Sequence, residues 1–109
     1  MPYDQAFAER IRAILSAEEG VTEREMLGGL TFMINGNMLG GPRQETLIIR
    51  VGPDAYDEAI AQPEARHLKM VDFPMRGFVE IDISDLGDDT ALSEWMALGI
   101  NYAKSMPPK

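Results

Sequence analysis

The residues that could carry chemistry in this chain are one histidine, four serines and a run of aspartates. His67 is the only imidazole, which excludes a two-histidine metal site, and a general base also needs an oriented partner. No serine lies in a Gly-x-Ser-x-Gly turn, the arrangement that exposes a hydrolase nucleophile. Cysteine is absent, so disulfides, thiolate nucleophiles and thiolate zinc sites are excluded. We therefore predict that the chain is not an enzyme and has no catalytic residues.

Four acids close together, at positions 82, 85, 88 and 89, could bind calcium or magnesium, because hard cations prefer clustered carboxylates. Their spacing does not match an EF-hand loop, however. Asp85, Asp88 and Asp89 directly precede a predicted helix, where acids cap the helix and interact with its dipole. We favour the capping role and predict no metal and no cofactor.

Glycines and arginines offer two further possibilities. Gly28-Gly29 and Gly36 are not followed by Lys-Ser or Lys-Thr and lie in predicted strands, so they do not form a phosphate loop. Half of the ten basic residues are in the middle of the chain, where they could form an anion-binding patch: Arg43, Arg50, Arg66, Lys69 and Arg76. Acids interspersed among them favour ion pairing within the protein instead.

The composition is that of a folded acidic domain. The chain has 109 residues, 45% of them hydrophobic, and a formal net charge of −8. This charge disfavours a general polyanion binder, and direct binding to DNA is not expected. The amino terminus lacks the basic start and apolar core of a signal peptide, and no apolar run is long enough to cross a bilayer. We expect one domain over residues 1–109, located in the cytoplasm and not in a membrane.

The apolar periodicity predicts the elements that would position these residues. Apolar residues spaced by three and four from Tyr3 predict a helix that ends near Gly20. Three consecutive antiparallel strands follow between residues 23 and 51, with a hairpin turn at Asn35-Gly36 and a bulge or bend at Gly28-Gly29. Pro53 begins a short helix that ends before Pro63. Two more strands, at 66–71 and 78–83 with residues 72–77 connecting them, precede a final helix capped by Asp88 or Asp89.

These elements predict an α/β (α+β) fold of two layers, in the order α-β-β-β-α-β-β-α. A mostly antiparallel five-stranded sheet would have its helices packed on one face. Its opposite face would mix apolar and charged residues, a composition typical of a partner site. The candidate interaction face consists of Met33, Ile48, Arg50, Arg76, Phe78 and Glu80. The alternative is that loops or the terminal helix cover its apolar members.

Several segments resemble the TfoX (Sxy) amino-terminal domain family. The most specific is residues 26–38, with its Gly-Gly and Asn-Gly-Asn elements; residues 47–51, Pro74-Met75-Arg76-Gly77-Phe78 and the ending from Ala103 are also similar. The resemblance runs almost from end to end, as in a stand-alone single-domain member. It implies a secretion-chaperone-like two-layer fold and a relation to bacterial regulators of natural competence, which control transcription of DNA-uptake genes. It brings no catalytic residues.

We therefore expect a non-enzymatic regulatory domain that acts by binding a protein partner and forms a homodimer. The chain ends where the second domain of the full-length regulators would begin, so a role in competence does not follow from the resemblance. The alternative function is a small-molecule or anion-binding module that uses the sheet face near Arg50 and Arg76.

Overall fold

The computed structural model describes residues 3–26, 28–70 and 73–109, and the side chains of all of these except 69, 70 and 73–76. It consists of one six-stranded antiparallel sheet and three α-helices. The helices are α1 (Gln5–Leu15), α2 (Pro53–Ile60) and α3 (Asp89–Ser105). The strands are β1 (Val21–Met26), β2 (Gly29–Ile34), β3 (Asn37–Arg43), β4 (Thr46–Arg50), β5 (Ala65–Met70) and β6 (Phe73–Asp82). None of the helices in the described ranges is long and apolar enough to cross a membrane.

The sheet has six strands, so the predicted number of five was wrong. Its order is β1-β2-β3-β4-β6-β5, and every neighbouring pair is antiparallel. The prediction treated the first run of strand residues from Glu23 to Ile34 as one strand, whereas the structure has two strands there, the edge strand β1 and β2. The alternation that would have identified β1 as a separate strand is absent. The sequence of β1, Val-Thr-Glu-Arg-Glu-Met, lacks alternating apolar residues because its four central residues are exposed. Charged residues on an edge strand also discourage pairing with another sheet.

At Gly28-Gly29 the predicted bend is confirmed, whereas the predicted bulge is wrong. Gly28 does not form a bulge within a strand: it lies in the turn between β1 and β2, with φ of 75°. The shift in strand register occurs further along, between Phe32 and Met33 opposite β3. The predicted connection at 72–77 is also too long, because β6 already begins at Phe73. Residues 71 and 72 of the predicted segments lie outside the described residues.

Three turn and capping signals were confirmed, whereas the predicted end of the first helix near Gly20 was wrong, because α1 ends at Leu15 with Ser16 as its cap. Asn35 and Gly36 have φ of 55° and 82°, the positive values that a two-residue hairpin turn requires. The side chain of Asp88 accepts a hydrogen bond from the backbone N–H of Thr90 and caps α3. Pro53 begins α2, where its missing N–H costs no hydrogen bond. Local chemistry therefore determined these boundaries.

The helices pack on one face of the sheet, as predicted, and enclose the main core. Alternate strand residues such as Phe32, Ile49 and Ile81 belong to this core, beneath the helices, and are fully buried. Asn37 joins the two layers, because its side-chain amide donates to carbonyl groups at the end of α3, among them that of Pro107 at 3.0 Å. The carboxyl-terminal end of α3 is thereby fixed to the β2–β3 hairpin.

Candidate functional site

The predicted interaction face divides into residues with different surroundings. Ile48 and Phe78 are buried, with 5% and 9% of their surface exposed, whereas Met33, Arg50 and Glu80 are half-buried. The side chain of Arg76 lies outside the described residues. The structure therefore locates five of the six predicted residues, and their role in an interaction remains a prediction.

The apolar part of this face forms a small second core. Ile48, Leu68 and Phe78 pack together, with Met38 against them, on the side of the sheet opposite the helices. Leu68 is fully buried. A side chain that is already removed from water gains little more when a partner binds. Ile48 and Phe78 therefore contribute mainly to the stability of the monomer.

The charged part of this face is paired within the protein. Arg66 on β5 donates to Asp82 at 2.8 Å and lies 3.5 Å from Glu80, which also accepts a hydrogen bond from the Thr46 hydroxyl. The hydrogen bond from Arg66 lowers the pKa of Asp82 below its ordinary value and raises that of Arg66. Arg66 is therefore paired within the protein, but its partners belong to β6 and are not among the acids interspersed between residues 43 and 76.

Arg50 has a different environment at the end of β4. Its guanidinium carbon lies 5.8 Å from the ring centroid of Phe78 and 5.3 Å from that of Tyr102 on α3. We call this arrangement of Arg50, Phe78 and Tyr102 the arginine–aromatic clamp. The rings hold the cation through cation–π attraction. No carboxylate among the described side chains forms an ion pair with Arg50.

A glycine allows the clamp to form. Gly52 lies two residues after the end of β4 with φ of 85°, and a Cβ atom there would lie 2.4 Å from the Tyr102 ring. The ring therefore occupies the space that any larger residue at position 52 would need. The backbone N–H groups of Val51 and Gly52 both donate to the carbonyl of Gly77, which fixes the chain after β4 beside the middle of β6.

His67 and the aspartate run, which the sequence offered as candidates for chemistry, contact other residues of the protein. His67 on β5 contacts the hydroxyl of Tyr56, a buried residue of α2. The aspartates of the run that begins at Asp82 have different partners: Asp88 caps α3, and Asp89 forms an ion pair with Arg10 at 2.8 Å. Within the ranges that the structure describes, no group of three or more acids or histidines could hold a metal.

The prediction missed a groove between α2 and α3, with a volume of about 330 Å³. Ala55, Glu58 and Ala59 of α2, with Gln62 just after it, form one wall, and Glu94, Trp95 and Leu98 of α3 form the other. Glu64, just before β5, completes it. The three-and-four spacing of small and polar residues in α2 is a signal that the sequence contains. This spacing identifies a wall of a groove only when the position of α3 is known.

Comparison with known proteins identifies one family. The family model described as the TfoX N-terminal domain matches residues 13–103 of the chain. Neither a search of curated proteins nor a search of solved structures gave a significant match. The matched segment contains β1 to β6, α2, most of α3 and the end of α1, and therefore both the arginine–aromatic clamp and the groove.

Proposed function

The chain belongs to the TfoX N-terminal domain family, and from this premise we propose that it is a non-enzymatic regulatory domain that acts by protein association. Family membership is the observation that carries the proposal, since the family is related to regulators of natural competence. The proposed partners are a component of the transcription machinery and a second copy of the chain. The proposed location is the cytoplasm.

The sheet face is the proposed contact surface for a second copy. Met33 on β2 and Met38 on β3 are half-buried and lie directly opposite each other in the strand pairing. Methionine is flexible and polarizable, so it adapts to a partner surface. Glu80 and Arg50, also half-buried, would lie toward the rim of the contact. The two methionines lie at the edge of the apolar cluster, and its buried centre of Ile48, Leu68 and Phe78 does not support the proposed contact.

Light scattering after gel filtration at high micromolar concentration tests the homodimer. We expect twice the monomer mass, and Met33→Asp should shift the protein toward the monomer because it places a charge in the contact. Ala17→Asp is the matched control, since Ala17 is exposed in the segment after α1. A monomer mass for the unmodified protein would remove the homodimer from the proposal.

Capture of a transcription component tests the regulatory role. The purified domain should retain a defined transcription protein, and retention should be lost when Met33→Asp or a variant of another contact residue is used. In the same samples we expect no retardation of duplex DNA at low salt, where electrostatic binding is strongest. Retarded DNA in the absence of any protein partner would favour direct DNA binding and contradict the proposal.

An anion-binding function is the second candidate, and the arginine–aromatic clamp favours it. The rings of Phe78 and Tyr102 restrict the guanidinium of Arg50, and none of the described carboxylates forms an ion pair with it. A restrained guanidinium loses little side-chain entropy when it binds a carboxylate or phosphate through two hydrogen bonds. A small carboxylated or phosphorylated molecule is therefore the proposed ligand class for this function.

A thermal-shift panel of small carboxylates and phosphates distinguishes the two functions. A specific ligand should raise the melting temperature of the unmodified protein, and Arg50→Ala should abolish the shift. Arg76→Ala tests the other arginine of the predicted face. If every ligand in the panel leaves the melting temperature unchanged, the anion-binding function is contradicted and protein association is left as the proposal.

A further inference from the structure

The α2–α3 groove combines an apolar floor with an acidic rim. Ala59 and Trp95 at the floor are 5% and 6% exposed, and Leu98 is half-buried. Glu58 and Glu94 are exposed at the rim, and Glu64 is half-buried. Its volume of about 330 Å³ lies near the lower end of the range for binding pockets, roughly 300–1,000 Å³.

The helices leave this space because of what each packs against. The apolar face of α2 contacts β6 and β5, whereas α3 contacts β2, β3 and β4. On the side of α2 that faces α3, the residues at the groove include Ala55 and Ala59, whose side chains are too short to fill the gap. The groove is therefore a consequence of the sequence of α2 and of the two helix positions.

The charge of the groove has one sign. Three glutamates line it, and no lysine or arginine among the described side chains does so. Glu64 accepts a hydrogen bond from the indole N–H of Trp95 at 3.2 Å, which fixes the tryptophan in the floor. No lysine or arginine whose side chain is described forms an ion pair with Glu58 or Glu94. Such a site repels anions and favours a ligand that is both apolar and cationic.

We infer that this groove binds a basic amphipathic segment of a partner protein, with apolar side chains on Trp95 and Leu98 and lysine or arginine side chains beside Glu58 and Glu94. Long basic side chains suit this geometry, because their aliphatic stems pack on apolar surface while their charged ends reach a polar rim. The inference rests on the proposed function, protein association, and names the chemistry of the partner.

A helical segment fits better than an extended one. The groove runs between two helices, and none of the described residues that line it belongs to a strand to which a peptide could add by backbone hydrogen bonds. Recognition must therefore come from side chains on one face of the bound segment, which is the helix-in-groove mode. Charged residues on the rim would add an attraction that weakens as salt increases.

Trp95 makes a direct test possible because it is the only tryptophan in the chain. Its fluorescence would be followed while a synthetic amphipathic helix of leucine and lysine is added to the full chain. We expect a saturable change in the emission of Trp95. A peptide with the same leucines but with glutamate in place of lysine should give no change.

The double variant Glu58→Gln, Glu94→Gln should weaken peptide binding about fivefold, as expected for two exposed ion pairs. Glu19→Gln combined with Glu45→Gln is the matched control, because both residues are exposed and neither lines the groove. The control has the same net charge as the double variant. It separates a local effect of the rim from the general attraction of an acidic protein for a basic peptide.

Three results would overturn the inference. The emission of Trp95 does not change with the basic peptide, or the control variant weakens binding as much as the groove variant. Alternatively, a free polyamine saturates the Trp95 signal as well as the peptide does, which would make the groove a site for a small organic cation.

A failure of the groove is distinguishable from a failure of the proposed function. If the double variant still retains the transcription component captured by the unmodified domain, the groove is not the docking site and protein association stands. If peptide binding meets every expectation while the domain shows neither a dimer nor a transcription partner, the proposed regulatory association is contradicted, whereas the chemistry inferred for the groove is supported.

Discussion

The sheet face and the α2–α3 groove treat their charged side chains in opposite ways. On the sheet face, Glu80 and Asp82 share Arg66, and Thr46 donates to Glu80 as well. In the groove, Glu58 and Glu94 have no lysine or arginine partner among the described side chains. Charges that are paired within the monomer contribute little to a new complex, so the groove has more electrostatic attraction to offer a partner.

The apolar side chains differ less than the charged ones, because Ala59 and Trp95 in the groove floor are as buried as Ile48 and Phe78, and the half-buried Leu98 of the groove has a counterpart in Met33 on the sheet face. Ile48 and Phe78 on the sheet face are enclosed with Leu68 in a second core. Leu98 in the groove is half-buried and so still contacts water. A face that strand alternation predicts to be partly apolar and partly charged can therefore have its apolar residues buried and its charges paired within the same protein. An unsatisfied surface can instead lie between elements that are distant in sequence.

The largest expected effect tests whether Ile48 belongs to a core. Ile48→Ala should lower the free energy of unfolding by about 3 kcal/mol, because it removes buried methyl groups and leaves a cavity. Leu98→Ala in the groove should cost about 1 kcal/mol, because Leu98 is only half-buried. Urea denaturation of both variants measures the difference. Equal losses would break the distinction between the two regions.

A smaller loss of stability is expected from substitution of Gly52, which packs against Tyr102 of the arginine–aromatic clamp. Gly52→Ala should cost about 2 kcal/mol, because Gly52 has φ of 85° and the new Cβ would overlap the Tyr102 ring. Gly87→Ala is the control, since a Cβ there meets no atom within 4 Å. Denaturation curves compare the two variants, and a similar cost for both would contradict the close packing of Tyr102 on Gly52.

The hydrogen bond from Trp95 to Glu64 should contribute less to the free energy of unfolding. Trp95→Phe keeps an aromatic ring in the groove floor but removes the N–H that donates to Glu64. We expect a loss of about 1 kcal/mol in the free energy of unfolding. Glu64→Gln is the complementary variant, because it keeps an acceptor oxygen for the indole N–H and should cost less. If Trp95→Phe has no effect, the hydrogen bond does not fix the floor of the groove.

The smallest effect concerns acid pH and the paired charges of the sheet face. Arg66 holds the pKa of Asp82 below its ordinary value, so the stabilising contribution of this pair is present above about pH 4. It is lost as the pH falls through the pKa of the folded protein. Asp82→Asn should therefore flatten the fall in stability below pH 4.

Glu94→Gln should cause no loss of stability at neutral pH, since it removes no ion pair. A loss with Glu94→Gln would show that the groove acids are paired after all.

Local signals predicted most of the secondary structure but not the complete sheet. Asn35-Gly36, Pro53 and Asp88 determine a turn and two helix starts through backbone preferences that neighbours do not alter. β1 was not distinguished from β2 because an exposed edge strand has no apolar periodicity of its own, and its antiparallel pairing with β2 is decided across the sheet. Alternation correctly assigned Phe32, Ile49 and Ile81 to the helix-covered side.

The candidate sites were less predictable than the elements. Alternation placed Ile48 and Phe78 on the face opposite the helices, and the structure has them there. It could not predict that Leu68 would help to enclose them. Arg50 was selected as a candidate from its type and position, but its two aromatic neighbours come from β6 and α3. The groove was missed because its walls are separated by about thirty residues of sequence.

The sequence by itself determined the charge of −8, the absence of cysteine, the hairpin turn at Asn35-Gly36, the starts of α2 and α3, and the resemblance to a family that the match over residues 13–103 confirmed. These follow from composition and from interactions between residues close in the chain. Only the tertiary structure decided which acids find a partner, which apolar residues are enclosed and where α2 and α3 leave a groove. Burial and ion pairing depend on distances between separate elements, and packing of the whole sheet sets those distances.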